Sequence, residues 1–434
     1  MFFNIDTYGS NTAIISDDGT RLTYSELAER VHLQAQSLHS GVLEFCLCRN
    51  NIESLVFYLA CLKAKVPVVL LDAQKDETTI QNLREIYQPG ITKCHPDLAV
   101  CLTTSGTTGS PKLVRLTRQN LLSNAKSIVE YLQLNEHERA ITMLPMYYSF
   151  GLSIINSHLL CGATILLTDK TYAQREFWNF LKENQATSMA GVPYTWEMLR
   201  KLRFFRMDLP SVKTMTQAGG KLNADITKEY ILNAQQTGRQ FIVMYGQTEA
   251  TARMSYLPWE KAEQKCGSVG VAIPGGRFEL VDDQGNIINS PHTDGELVFY
   301  GDNVSMGYAE CAEDLLKGDE NNGRLATGDI ARRDEDGFYY ITGRKKRFVK
   351  IWGNRCNLDQ IEQLVKTIVT PCACVGVDDL ITIFITEKEQ EQNIKQLLSV
   401  KTGLNSRAFQ VQEIEHIPVT ESGKVDYTTL KNRL

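Results

Sequence analysis

Through the first three quarters of the chain, short apolar runs alternate with segments whose apolar residues recur every three or four positions. The runs 67–71, 140–144, 163–167 and 241–244 are short, continuous and rich in aliphatic residues, so they predict buried strands. The stretches 25–37, 120–132 and 176–183 carry helical spacing. Alternation of this kind predicts parallel α/β layers. From about residue 265 the texture changes, and Gly and Asp turns separate β-rich pieces at 277–281, 295–300 and 337–342. That predicts a small antiparallel subdomain. After Gly343 comes a basic stretch, then a helical pattern at 358–369, a strand-like run at 381–386 and a second helical segment around 390–398. The fold class expected is therefore α/β, with stacked layers and a β-rich subdomain (about 265–343) in a large N-terminal domain, 1–343. A small α+β domain, 344–434, follows it.

Composition narrows the partners. The 434 residues carry 46 basic and 51 acidic side chains, which leaves no bulk attraction toward nucleic acid or a membrane surface. No basic opening precedes an apolar stretch, and apolar runs such as 66–71 are too short to span a bilayer. A soluble cytoplasmic protein acting on a small molecule or another protein is expected. None of the eleven cysteines forms a Cys-x-x-Cys pair, and Cys46/Cys48 and Cys372/Cys374 are spaced like strand residues facing one side. Buried free thiols are expected, not a zinc site. The histidines show no metal spacing.

One segment concentrates the chemistry. Leu102-Thr103-Thr104-Ser105-Gly106-Thr107-Thr108-Gly109-Ser110-Pro111-Lys112 puts hydroxyls, glycines and a cation into a single turn. Glycines allow backbone N–H groups to approach an anion, and the hydroxyls and Lys112 add donors for phosphate oxygens. Lys112 is followed by Leu113, so no hydroxyl stands where a P-loop holds magnesium. A kinase-like P-loop is disfavoured.

Further segments follow in order: Met244-Tyr245-Gly246-Gln247-Thr248-Glu249, Ala326-Thr327-Gly328-Asp329, Gly343-Arg344-Lys345-Lys346 and Glu421-Ser422-Gly423-Lys424-Val425-Asp426. Together with Leu22-Thr23-Tyr24-Ser25-Glu26-Leu27 near the start, this ordered set resembles the adenylate-forming superfamily of acyl-CoA synthetases, nonribosomal peptide adenylation domains and luciferases. The resemblance implies ATP-dependent activation of a carboxylic acid to an acyl-adenylate, release of pyrophosphate and transfer to a thiol. It assigns Thr104, Ser105, Gly106, Thr107, Thr108, Gly109 and Lys112 to the β- and γ-phosphates, Thr248 to the α-phosphate region and Glu249 to Mg²⁺. Tyr245, next to Gly246, would stack on adenine, while Asp329 and Arg344 would contact ribose. Lys424 would bridge the carboxylate and α-phosphate in the first step. Lys346 would be the pivot about which the C-terminal lid turns before the second.

The acyl pocket, by the same resemblance, is lined by the segment with Tyr148 and Ser149, by Gly191, Val192 and Pro193, and by Gln217-Ala218 with Gly219 and Gly220, the last two also close to the nucleotide. No carboxylate stands in the first of these to meet an α-ammonium, and an unpaired buried ammonium is costly. A carboxylic acid without a free α-amine is expected over an amino acid. The ending Gly423-Lys424-Val425-Asp426-Tyr427 looks like carrier-linked adenylation domains, which implies a phosphopantetheine arm on a separate acyl or peptidyl carrier protein. Lys350 and Arg355 are cations that would suit the extra phosphate of free coenzyme A, the alternative acceptor; a non-catalytic nucleotide- or acyl-binding relative is the remaining alternative. About thirty residues separate the segment 60–72 from the phosphate loop, fewer than in typical members, which implies a shortened N-terminal layer.

Overall fold

A computed structural model describes residues 5–39, 42–88, 93–103, 112–352, 354–419 and 425–434, with all side chains in these ranges except those of Lys346, Asn354 and Arg355. Packing divides the chain into two units, Met1–Phe278 with Phe299–Leu325, and Glu279–Val298 with Ala326–Leu434. The 343/344 boundary expected from the sequence lies inside the second unit.

Two sheets organise the first unit. A nine-stranded sheet runs in the order Val271–Ala272, Ser255–Tyr256, Gln240–Tyr245, Thr214–Gln217, Ser188–Gly191, Arg139–Ile141, Thr164–Leu167, Thr12–Ser16 and Arg21–Thr23. Its central strands are parallel, with Gln217 opposite both Gly191 and Val243. This register brings the carboxyl ends of three strands to one edge, where parallel sheets place their binding loops. The second sheet has the order Tyr308–Ala309, Leu113–Thr117, Leu98–Thr103, Val68–Asp72 and Glu44–Cys48. Val68, Val69, Leu70 and Leu71 are all buried, which explains a continuous apolar run in place of an alternating one.

The helices start where local chemistry predicts. Thr23 and Glu26 form a reciprocal capping box on helix Tyr24–Gln36, and Thr117 with Asn120 does the same for Arg118–Leu132. Asn51 caps Ile52–Ala64. Helix Ser149–Leu160 is buried nearly all round. Helix Glu77–Tyr87 and strand Leu98–Thr103 occupy the interval between Asp72 and Thr104.

The β-rich segment forms a four-stranded sheet of Arg277–Val281, Gly295–Tyr300, Arg324–Arg333 and Tyr339–Arg344. Beyond it, a hairpin (Phe348–Ile351 with Asn354–Asn357) and a three-stranded sheet (Cys372–Val377, Leu380–Ile385, Phe409–Glu413) pack with helices Leu358–Val365 and Glu391–Thr402. They share a core of residues such as Ile351, Ile361, Val365, Ile383 and Leu398. Two elements are shorter than their apolar patterns. The strand expected over 140–144 stops at Ile141, before Pro145 redirects the chain, and the helix expected to 369 stops at Val365 as the chain nears Pro371. All eleven cysteines are free, with Cys46, Cys48, Cys372 and Cys374 buried in their strands.

Candidate active site

Strand Gln240–Tyr245 delivers the chain to Gly246, where an added Cβ would lie 1.6 Å from the carbonyl oxygen of Ala252. Only glycine fits so close a backbone approach. The chain then makes a short 3₁₀ turn, Thr248–Ala250, and passes through left-handed conformations at Thr251 (φ 55°) and Ala252 (φ 94°). Such residues cost roughly 1–3 kcal/mol each and persist only when their surroundings hold them. Here Thr251 Oγ1 donates to the Asn303 carbonyl (2.7 Å), Asn303 Nδ2 to the Ala250 carbonyl (2.7 Å) and Ser305 N to the Glu249 carbonyl (2.8 Å). Asn303 has no motif of its own, and its role was not legible in the sequence.

The clamped turn presents Thr248 and Glu249 to two partners. Thr248 Oγ1 lies 3.1 Å from Ser149 Oγ at the start of the buried helix. Glu249 Oε1 accepts from the Tyr308 hydroxyl at 2.5 Å. Burial and the Glu249 charge push the Tyr308 hydroxyl well up from its ordinary range, which keeps it a donor. Tyr308 reaches this place because Tyr308–Ala309 pairs antiparallel with Leu113–Thr117, Tyr308 opposite Val114. Fully buried Arg115 fixes that pairing by donating to the carbonyls of Met306 (2.9 Å) and Tyr308 (3.2 Å) and to Glu320 Oε2 (2.5 Å). The same pairing brings Lys112 to Glu310 (2.5 Å), with its ammonium 6.0 Å from the Tyr308 ring centre. Lys112, Thr248, Glu249 and Ser149 are thus gathered, and Tyr308 is a member that sequence reading missed.

The expected acyl segments also converge. At Gly219 (φ +83°) an added Cβ would meet Tyr148 Oη at 2.6 Å and Val192 Cγ1 at 3.1 Å, and at Gly220 it would meet Pro193 Cγ at 3.1 Å. Gln217 Nε2 donates to the Gly220 carbonyl (2.8 Å) and Trp196 Nε1 to that of Gly191 (3.1 Å), which fixes both loops. Burial raises the pKa of Tyr148. Tyr245 is half-buried, with Gln247 Nε2 donating to its hydroxyl at 3.4 Å.

In the second unit Asp329 sits opposite Arg344 across an antiparallel pair, 3.3 Å from its Nε. Asp329 is 4% exposed, at the inner wall of its strand and not on a surface turn. Lys350 is exposed on the hairpin. Thr104, Ser105, Gly106, Thr107, Thr108, Gly109 and Lys424 lie outside the described residues, as do the side chains of Lys346 and Arg355.

Residues 74–309 match the model of a family described as "AMP-binding enzyme". A 2-succinylbenzoate–CoA ligase of Listeria innocua is 26% identical over 89% of this chain and 82% of that protein. An oxalate–CoA ligase of Arabidopsis thaliana is 28% identical over 83% of this chain and 73% of its own length. A long-chain-fatty-acid–CoA ligase of Escherichia coli is 30% identical over 68% of this chain, which spans only 53% of that protein. Among solved structures, o-succinylbenzoate CoA synthetase from Bacillus subtilis with its acyl-adenylate superposes at TM-score 0.82, with 20% identity over 98% of this chain and 97% of that one. ATP-bound MatB from Rhodopseudomonas palustris gives TM-score 0.82 and 21% identity over 100% and 99% of the two chains. These structures share the α/β fold of a large N-terminal and a small C-terminal domain.

Proposed function

The chain belongs to the AMP-binding enzyme family, and from that premise we propose that it is an adenylate-forming ligase that joins a carboxylic acid to a thiol at the expense of ATP. The observation that carries this reading is the gathering of Lys112, Ser149, Thr248, Glu249 and Tyr308 beside the converging loops at Tyr148, 191–193 and 219–220. Joining two anions is mainly a matter of charge neutralisation and alignment. In the first step a carboxylate oxygen attacks the α-phosphorus, and the bond to pyrophosphate breaks. Thr248 and Lys112, with the 104–109 loop, supply donors to the phosphates, and Lys424 bridges carboxylate and α-phosphate. Asp329 and Arg344 take the ribose, and Tyr245 the adenine.

The Glu249 carboxylate, next to the Thr248 hydroxyl, offers the hard oxygen donors that Mg²⁺ prefers. When bound, that ion neutralises charge on the phosphate oxygens. In the second step the thiol sulfur attacks the acyl carbonyl, AMP departs with its oxygen, and the thiol proton is lost. Lys346 is the pivot at which the domain 344–434 turns between the two steps.

The pocket favours an acid without a free α-amine, since none of Tyr148, Ser149, Gly191, Val192 and Pro193 carries a carboxylate to neutralise an ammonium. The acceptor is a phosphopantetheine thiol. The relatives described above, all CoA ligases, favour coenzyme A as its source, with Lys350 and Arg355 as cations for the extra phosphate. The ending Gly423-Lys424-Val425-Asp426-Tyr427 favours a carrier protein instead. Pyrophosphate release with ATP, Mg²⁺ and a panel of acids tests the first step, and competition between coenzyme A and holo-carrier proteins tests the second. Absence of acid-dependent pyrophosphate across the panel would contradict the ligase reading.

A further inference from the structure

The second unit buries a cluster of charges for which the reaction as described has no use. Arg347, 9% exposed, pairs with Asp359 Oδ1, donates through Nη1 to the Cys374 carbonyl (3.0 Å) and through Nη2 to Glu362 Oε2 (3.2 Å). Glu362, 4% exposed, also accepts from Lys366 Nζ (2.9 Å), Cys374 N (3.0 Å) and the Tyr427 hydroxyl (3.0 Å). The Tyr427 ring lies against the cation, with Arg347 Cζ 3.7 Å from its centre. Every strong donor and acceptor here is used. A buried ionic group of this kind is a poor source of stability, because desolvation offsets attraction, but it defines one geometry sharply.

Its position gives that geometry a purpose. Arg347 is the residue immediately after Lys346, and Tyr427 follows Lys424 by three positions. From Val425 onward the chain is held closely: Val425 pairs with Val419, Asp426 N donates to the Pro418 carbonyl (2.8 Å), and Asp426 caps the turn Tyr427–Lys431. Leu430 anchors that turn in a core with Ala373, Val375 and Phe384. One side of the cluster therefore grips the first residue past the pivot, and the other grips the segment that leaves the lysine.

We propose that Arg347, Glu362 and Tyr427 are positioning residues that fix the Lys424 segment to the C-terminal side of the pivot, so that the turn at Lys346 places the lysine without loss of aim. None of the three touches substrate. The inference rests on the role of Lys424 in the first step and adds what delivers it there. A merely stabilising cluster would affect both steps alike, whereas a positioning cluster affects only the step that uses Lys424.

The test compares the full-length wild-type chain with Tyr427→Leu, Tyr427→Phe and Lys424→Ala in two assays, acid-dependent ATP–pyrophosphate exchange and thiol transfer from supplied acyl-adenylate. Tyr427→Leu is expected to lower exchange by about tenfold or more, the scale of a misplaced reacting group, while transfer changes by less than about twofold. Tyr427→Phe keeps the ring and is expected to recover part of the loss. Amide exchange read by mass spectrometry should rise in the peptide around 415–427 in Tyr427→Leu and less in Tyr427→Phe. Equal losses in both half-reactions, or full exchange activity in Tyr427→Leu while Lys424→Ala is inactive, would overturn the positioning role alone. Full exchange activity in Lys424→Ala would overturn both this inference and the role of the lysine.

Discussion

Arg253 in the first unit is 2% exposed, yet it donates only to neutral groups: Ser153 Oγ (3.0 Å), the Tyr131 hydroxyl (3.1 Å) and Met244 Sδ (3.5 Å), with Phe150 under its cation. Among the described residues no carboxylate pairs with it. Arg347 in the second unit is also buried but is enclosed by Asp359, Glu362 and the ring of Tyr427. The contrast follows the work of each region. Around Arg253 the Thr248–Glu249 turn is held by backbone approach and hydrogen bonds to Asn303 and Ser305, a static scaffold built at strand ends. Around Arg347 the cluster ties Tyr427 to the residue that follows Lys346, in the body proposed above to keep its shape as it turns. Neutral partners suffice for the first, whereas paired charges specify the second.

Breaking the charged cluster should have the largest effect. Glu362→Ala leaves Arg347 and Lys366 without their shared carboxylate and is expected to destabilise the second unit by about 3–5 kcal/mol, the cost of stranding a buried charge. Denaturant titration checks this. A loss below about 1 kcal/mol would place Glu362 among surface-like pairs and remove the contrast. Next is the static scaffold. Gly246→Ala drives a Cβ into the Ala252 carbonyl and should cost about 3 kcal/mol and most adenylation activity. An unperturbed variant would show that the turn can yield.

The run Arg344-Lys345-Lys346-Arg347 reads in the sequence as one exposed basic stretch, and nothing in its composition marks Arg347 as the member that turns inward. Charged residues are buried only when partners far along the chain enclose them, and those partners, Glu362 and Tyr427, emerge only with the fold. The same limit applies to Tyr308. Its pairing with Val114 spans nearly two hundred residues, and such pairing leaves no local trace. By contrast, the strands at 68–72, 164–167 and 240–245 and the helices starting at Tyr24 and Arg118 were legible, because apolar runs and capping residues act locally. Gly219, Gly220 and Tyr148 were expected as site residues through motif order, and the structure adds that they lie together, the glycines making room for the tyrosine and Pro193.

The interior around Arg253 in the first unit makes a pH prediction of intermediate size. His158 is buried four residues from Ile154, whose carbonyl contacts its Nδ1 at 2.8 Å, and burial, with the Arg253 charge beyond it, pushes its pKa down to about 4 from an ordinary 6.5. The unfolded chain therefore binds a proton between those values that the folded chain refuses. This contribution is fully present above about pH 6.5 and is lost as pH falls toward 4, so stability at pH 5 should be about 2 kcal/mol below that at pH 7. His158→Gln should flatten that part of the profile. If the variant retains the full slope, His158 is not the group responsible.

The smallest effect concerns the Tyr308 hydroxyl, which joins the edge of the sheet beside Leu113–Thr117 to Glu249. Tyr308→Phe removes one donor and should raise the Mg²⁺ concentration needed for half-maximal exchange by roughly threefold to tenfold, the scale of one net hydrogen bond. Activity at saturating Mg²⁺ should change less. An unaltered Mg²⁺ dependence would separate Tyr308 from the metal-binding role proposed for Glu249.

The central claim is that a carboxylate oxygen attacks the α-phosphorus of ATP at the site formed by Lys112, Thr248 and Glu249. It is tested most directly by supplying an accepted acid whose carboxylate carries heavy oxygen, with ATP, Mg²⁺ and thiol, and reading the products by mass spectrometry. The account predicts one heavy oxygen in the AMP and none in the pyrophosphate, because the attacking oxygen stays on phosphorus when the thiol displaces AMP. Label in inorganic phosphate alongside ADP, or thioester formed with unlabelled AMP, would contradict it.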